Sequence, residues 1–395
     1  MHRTRFSTPL AAALLLVAAA AGAPHATAQE SAIQEPAVQR PFEEEIDVTE
    51  VLLDVLVTDR QGNVIVGLGP EDFVVREDGE PVAVEEVTFY SSSVPAESAA
   101  ELAAKGVEVD RAPEDRYFIL FFDDVGKYQD SGVNLMQQQM RAGLDAKRWV
   151  RESLVPADWV AVAGFDRKLE LHQDFTRDRE EITAAIDRAI RGDEGSQNWP
   201  SRRGEADSAV PSLADDLPSG KALLEATPRI YDALSLVARA TADVRGRKSL
   251  IYFGIGFGGI DSFGQYREDV RYYPEMERAL NDANVAVYPI DVTPQGATHP
   301  FENAMSQIAG DTGGRYFPFF TSFKTPLDRV AAESAGYYLI AYQARHPRGE
   351  AGFQAVEVET VDRALRVRAR GGYLYGGSEE AAAPPAAAEE AEAGR

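Results

Sequence analysis

Six uncharged residues at 117–122 (YFILFF) run straight into two aspartates, Asp123 and Asp124. A run this apolar, with no alternation, has no face to give to water. It reads as a fully buried strand of a parallel sheet, which needs helices on both faces. The two carboxylates then fall at the strand's carboxyl end, where open α/β sheets bind ligands.

The rest of the chain has to supply the other strands and the crossover helices, and it does. Residues 159–165, 249–253 and 285–291 are further apolar runs, and 168–172 is a shorter one suited to an edge. Helical periodicity lies between them, over 134–154, 179–190, 222–244, 273–283, 303–309 and 327–334; Ile182, Ile186 and Ile190 repeat at i, i+4 and i+8. This alternation predicts an α/β fold with a doubly wound, largely parallel sheet. The stretch 192–220 is rich in Gly, Ser, Pro and Asp. A loop of that length is either functional or disordered.

Both flanks read differently. Residues 46–92 hold three or four short β-branched strands, with an Asp-Gly turn at Asp78-Gly79. Residues 337–376 hold another apolar strand and two that alternate apolar with charged. Neither piece can bury its apolar side alone, so the two are expected to pair in one β-sandwich.

The ends bound the class. Arg3 and Arg5 precede an apolar stretch at 10–21, and Ala26-Thr27-Ala28 fits a small-x-small cleavage site. Residues 1–28 therefore read as a secretory signal, too short for a spanning helix. Residues 29–45 read as a flexible leader, 93–115 as a linker, 116–336 as the α/β domain and 377–395 as a disordered Ala/Glu/Pro tail. No later stretch is apolar enough to span a bilayer, and the formal charge of −24 disfavours nucleic acid and anionic lipid. With no cysteine, disulfides, thiolate zinc sites and cysteine nucleophiles are excluded. There is no H-x-x-x-H pair and no G-x-S-x-G elbow. The glycines at 254, 256, 258 and 259 lack dinucleotide-loop spacing and read as a strand-to-loop exit.

Taken together, the strand ending in DD, ADWVAV, RKSLIYF, VAVYPID, GDTGGRYF and YYLIAY resemble a von Willebrand factor type A domain. The flanks, VLLDVLVTDRQGNVIVGLGPEDFVVREDGEPVAVEEVTFY and VEVETVDRALRVRARGGYLY, are similar to the VWFA-related domain family of exported bacterial proteins. The resemblance covers roughly residues 46–375. It implies a divalent cation, Mg2+ in chemistry, held by an Asp and two Ser in D-x-S-x-S, by a Thr and by a later Asp. Those positions fall here on Asp123, Val125, Lys127, Thr227 and Ile255. Only Asp123 and Thr227 supply a side-chain oxygen, so a degenerate site is expected, with no cofactor and with Lys127 either balancing Asp123 or pointing to solvent. The resemblance then implies a non-catalytic adhesion-type module that binds a protein or peptide partner outside the cytoplasm.

The expected partner surface comprises Asp124, Lys127, Asp291, Trp199, Arg202 and Arg203 of the long loop, and Phe257 and Tyr266 from an aromatic group with Phe263, Tyr272 and Tyr273. Aromatic and Arg anchors on loops suit protein recognition. The competing expectation is an extracytoplasmic enzyme or carbohydrate-binding protein using Asp123, Asp124 and Asp291 as paired carboxylates.

Overall fold

A computed structural model describes residues 46–91, 108–110, 115–124, 135–195, 210–244, 246–294, 296–347 and 351–375. The signal, the leader and the tail lie outside them. In chain order the strands are β1 (Ile46–Thr58), β2 (Phe73–Glu77), β3 (Glu80–Val82), β4 (Val84–Ser91), β5 (Glu108–Asp110), β6 (Arg116–Asp123), β7 (Asp158–Phe165) and β8 (Leu169–Thr176). There follow β9 (Lys248–Gly254), β10 (Gly259–Ile260), β11 (Tyr266–Arg267), β12 (Val285–Asp291), β13 (Gly336–Pro347), β14 (Gly352–Thr360), β15 (Arg366–Arg368) and β16 (Gly372–Tyr375). The helices are α1 (Leu135–Glu152), α2 (Arg179–Arg191), α3 (Lys221–Ala226), α4 (Ile230–Ala240), α5 (Tyr273–Asp282), α6 (Glu302–Asp311) and α7 (Lys324–Glu333).

The central sheet has the order β12-β9-β6-β7-β8. Every pairing is parallel except that of β8 with β7. β6 sits in the middle, and its period of two divides the YFILFF run. Phe118, Leu120 and Phe122 join one apolar cluster with Trp149, Ile182, Ile186 and Leu327. Ile119 and Phe121 join another with Leu234, Met276 and Ile308. Helices α1, α2 and α7 thus cover one face, and α4, α5 and α6 the other. A polar residue on either side of β6 would be buried without a partner, and each buried Phe or Leu contributes about 1.5–3 kcal/mol. The chain leaves β6 for β7 and β8, then returns to lay β9 and β12 on the opposite side. This reversal opens a crevice beyond the carboxyl ends of β6 and β9, which close on Asp123 and Gly254.

The flanks join each other. β1 runs antiparallel to β13 from the Ile46–Pro347 pair to the Val55–Tyr338 pair, and β14 pairs with β2. Two sheets result, β15-β1-β13-β4-β5 and β16-β14-β2-β3. They share one core of Val51, Leu53, Val55, Phe73, Val75, Tyr338 and Ile340. Inside it, the buried Glu77 carboxylate accepts the Tyr342 hydroxyl of one sheet at 2.8 Å and the Tyr373 hydroxyl of the other at 2.6 Å. A buried acid is tolerated there because both sheets donate to it.

Three details depart from the expected elements. The helix expected over 222–244 is two helices, α3 and α4. Pro228 has no N–H to donate and disfavours helical geometry at Thr227, whose φ is −127°. The edge strand expected at 168–172 continues to Thr176. The stretch 93–115 contributes β5, which pairs parallel with β4.

The α5–α6 side of the sheet gathers acids. Asp311 accepts the Tyr273 hydroxyl at 2.6 Å, and Glu268 accepts the Gln307 amide at 2.7 Å. Burial, and then the Asp311 carboxylate, push Glu277 from 4.5 up to about 7. A raised folded-state value means that the folded chain holds this proton more tightly than the unfolded one. The associated stability is complete below pH 4.5 and is lost as pH rises through about 7. Glu277→Gln, neutral throughout, is expected to gain about 1 kcal/mol over the parent between about pH 5 and about pH 8, after allowance for partial exposure. Thermal melts of both proteins at those two pH values check this; parallel pH profiles would refute it.

Candidate site at the carboxyl end of the sheet

Asp123 ends β6 with 0% exposure. Its Oδ2 accepts the Tyr252 hydroxyl at 2.7 Å, and Gln139 of α1 donates to its main-chain carbonyl at 3.3 Å. Tyr252 and Gly254 share one face of β9, two residues apart. A Cβ at 254 would lie 2.6 Å from the Tyr252 hydroxyl oxygen, so glycine lets the phenol lie along the strand. The ring is held between Phe121, stacked at 6.1 Å, and the edge of Phe257 at 5.9 Å. Sequence reasoning missed Tyr252. The available signal was register: Phe121 pairs with Tyr252, which sets the phenol two residues short of the strand end beside the first aspartate.

Thr227 is also fully buried. Its hydroxyl donates to the Leu223 carbonyl at 2.8 Å and accepts the Leu169 amide at 3.0 Å, tying the end of α3 to the start of β8. Ile255 is buried and apolar. Val125 and Lys127 lie outside the described residues. Mg2+ asks for near-octahedral oxygen ligation. The described positions offer one carboxylate hydrogen-bonded to a phenol, one hydroxyl that both donates and accepts, and one isoleucine, and this set does not fit such an ion. Among the described residues no three His, Asp or Glu side chains group as metal ligands.

Asp291 corrects an expectation. It was expected on an open surface but has 0% exposure. Its Oδ1 accepts the Thr293 amide at 2.8 Å, and its Oδ2 takes His299 Nε2 at 3.0 Å and the Tyr316 hydroxyl at 2.8 Å. Burial pushes its carboxyl up, but the hydrogen bonds from His299 and the Thr293 amide outweigh that and hold it below the ordinary value. His299 Nδ1 is buried with no hydrogen-bond partner among the described residues. The carboxylate is the anchor of the loop between β12 and α6. One strand separates Asp123 from Asp291 in the sheet order, a spacing of roughly 10 Å, and neither is exposed. They do not form an open carboxylate pair.

Phe257 is a second correction. It is 5% exposed and packs edge-on against Tyr231 at 5.2 Å. Gly256 and Gly258 on either side have φ of +90° and +135°, which turns the ring inward. Tyr273 is core as well. Tyr266 is half-buried against Gly258, and burial, followed by nearby acids, pushes its hydroxyl up to about 12. Phe263, by contrast, is 87% exposed at the tip of the β10–β11 hairpin. Asp261 holds that tip by accepting the amides of Phe263 and Gln265, each at 2.9 Å. Trp199, Arg202 and Arg203 lie outside the described residues.

Asp124 lines a cavity of about 500 Å3 between α1, the β7–β8 turn and the end of α2. Its buried lining includes Phe122, Phe165 and Ile190; its exposed lining includes Met136 and Met140 of α1 and Leu224 of α3. Met136, Met140 and Leu144 repeat at i, i+4 and i+8, an apolar stripe left on the surface. Leu144 itself is 57% exposed. Charged residues border the cavity, with Lys168 paired to Glu170 and Arg191 to Asp193. Arg167, at the turn between β7 and β8, has φ +61°, uncommon for a residue with a side chain.

The run into Asp123, ADWVAV, RKSLIYF, VAVYPID and YYLIAY form β6, β7, β9, β12 and β13, and GDTGGRYF spans the end of α6 and the turn after it. The α/β part is a five-stranded, mostly parallel sheet with helices on both faces. No family model matches the sequence, and no curated protein matches it either. Solved structures to which the chain is similar include a von Willebrand factor type A structure from Catenulispora acidiphila, at 8% identity over 86% of this chain and 76% of that one, TM-score 0.37. Another is an aerotolerance-related membrane protein from Bacteroides fragilis, at 12% identity over 55% of this chain and 98% of that one, TM-score 0.34. A third is proximal thread matrix protein 1 of the mussel byssus, with a zinc-occupied MIDAS motif, at 15% identity and TM-score 0.33. That match covers 56% of this chain, which spans about half (48%) of the mussel protein's length.

Proposed function

We propose that this chain is an exported, non-catalytic binding module that holds a protein or peptide partner on the face beyond the carboxyl ends of β6 and β7, through a degenerate cation site. The Asp123–Tyr252 contact carries the reading. A carboxylate that spends one oxygen on a buried phenol is a poor ligand for a strongly hydrated ion. Support for partner binding comes from the adjoining cavity, where exposed Met and Leu side chains meet a charged border. Exposed apolar patches rimmed by polar groups mark interaction sites, and methionine adapts to varied partners. The buried, fully bonded Asp291 disfavours the alternative of a carboxylate-pair enzyme. Export rests on the signal read in residues 1–28. No helix among the described residues is long and apolar enough to cross a membrane.

Calorimetric titration with Mg2+ and Mn2+ tests the ion-free part. No saturable heat is expected at micromolar metal, and a micromolar signal abolished by Asp123→Ala would sink it. Crosslinking in the native envelope, followed by mass spectrometry, tests the face. A partner captured by the parent is expected to be lost from Met140→Glu, which puts a charge on the apolar stripe; equal capture by both would move the site elsewhere.

A further inference from the structure

Where the sandwich meets the α/β layers, a cleft of about 370 Å3 is lined by Arg315, Arg366 and Arg368 together with Thr58, Asp59 and Gly62. Three arginines line it in a chain whose net charge is −24. None of these residues lines the cavity beside α1. Arg366 and Arg368 alternate along β15 and so share one side of that strand.

Glu333, at the end of α7 with 2% side-chain exposure, holds two of the three. Its Oε1 lies 3.0 Å from Arg315 Nη1 and its Oε2 lies 2.8 Å from Arg368 Nη1. Each guanidinium carries five N–H donors, and one contact to Glu333 leaves most of them unspent. The buried carboxylate fixes both groups in place. Arg366 is exposed, and among the described residues it has no ion-pair partner. Asp59, on the rim, is turned to its own loop: its oxygens accept the Gln61 and Asn63 amides and the Asn63 side chain, at 2.8, 2.8 and 2.7 Å. Gly62, at φ +93°, completes that turn. With Asp59 on the lining and the Glu333 carboxylate bound to two of the three arginines, the cleft keeps one net positive charge and a surplus of donors.

We infer that this cleft is an oxyanion site that takes a small, multiply charged ligand of the phosphate or polycarboxylate kind. Planar guanidinium donors match the oxygen spacing of both groups, and charge-assisted bonds are the strong ones. Two of the three arginines are already ordered by Glu333, so binding need not immobilise them. The volume falls within the range of small-molecule sites.

The test uses the full chain, with inorganic phosphate and citrate as probes against sodium chloride at matched ionic strength. Thermal denaturation is expected to show a saturable rise of about 2 °C or more at ligand concentrations well above Kd. The better of the two anions identifies the chemistry. Arg366→Ala lies outside the Glu333 clamp and is expected to keep the parent's ligand-free Tm while weakening binding about tenfold. Arg363→Ala, exposed on the neighbouring turn, is expected to leave binding unchanged. No saturable rise with either anion would overturn the site, as would a rise that Arg366→Ala leaves intact.

Discussion

Gly314→Ala is expected to remove most of the stability of the α/β part, by about 4 kcal/mol or more, or to prevent folding. A Cβ at position 314 would lie 1.8 Å from the Val287 carbonyl oxygen and 2.6 Å from its carbon. Both are backbone atoms of β12, which is buried at all seven positions and hydrogen-bonded to β9. No rotamer change relieves such a contact, so either the turn or the strand must move. The turn is held by the Gly314 amide, which donates to Ala309 at 2.8 Å. The strand is held by its register and by Thr312, whose hydroxyl accepts the Val287 amide at 3.0 Å. Gly310→Ala is the paired control. Nothing lies within 4 Å of a Cβ there, and the residue sits exposed in α6. Alanine should stabilise that position by about 0.5–1 kcal/mol, because it restricts the unfolded chain. Urea denaturation of both variants checks the contrast. A Gly314→Ala protein within about 1 kcal/mol of the parent would show that β12 has slack the packing does not predict.

Asp291→Ala is expected to cost about 3 kcal/mol at neutral pH. The substitution strands the Tyr316 hydroxyl, the Thr293 amide and His299 Nε2 in a buried place. The pH dependence has a definite sign. The folded-state value of Asp291 lies below its ordinary value of 3.8, so its contribution is complete above about pH 4 and is lost as pH falls further. The parent should therefore lose stability below about pH 4 more steeply than the variant does. Tyr316→Phe removes a single bond and should cost about 1 kcal/mol. Denaturation at neutral pH and near pH 3.5 separates these terms. A loss under about 1 kcal/mol for Asp291→Ala would mean that the loop finds other partners.

Much of the fold was legible because burial writes itself into sequence period. A strand covered on both faces has no polar position, and 117–122 has none. The isoleucines of α2 fall every fourth residue because one helix face meets the sheet. The flanking strands declared by alternation that each lacked a partner. The break at Thr227 was legible in principle from Pro228 but was read through, since the apolar spacing continues across it.

The candidate site was less legible, because its chemistry depends on neighbours distant in sequence. Asp123 and Asp291 look alike as strand-ending acids. One meets a phenol from an adjacent strand, and the other meets a histidine and a tyrosine that follow it in loops. Phe257 reads as a surface aromatic until two positive-φ glycines turn it inward. Met136 and Met140 read as part of an ordinary amphipathic helix until the fold leaves them uncovered.

The sequence by itself determined the layered α/β architecture and the pairing need of the two flanks, since both follow from where apolar side chains must hide. Tertiary structure alone decided which acids are spent and which surface is left open. Hydrogen-bond satisfaction and exposure are properties of side chains brought together across strands and helices, and no local pattern encodes them.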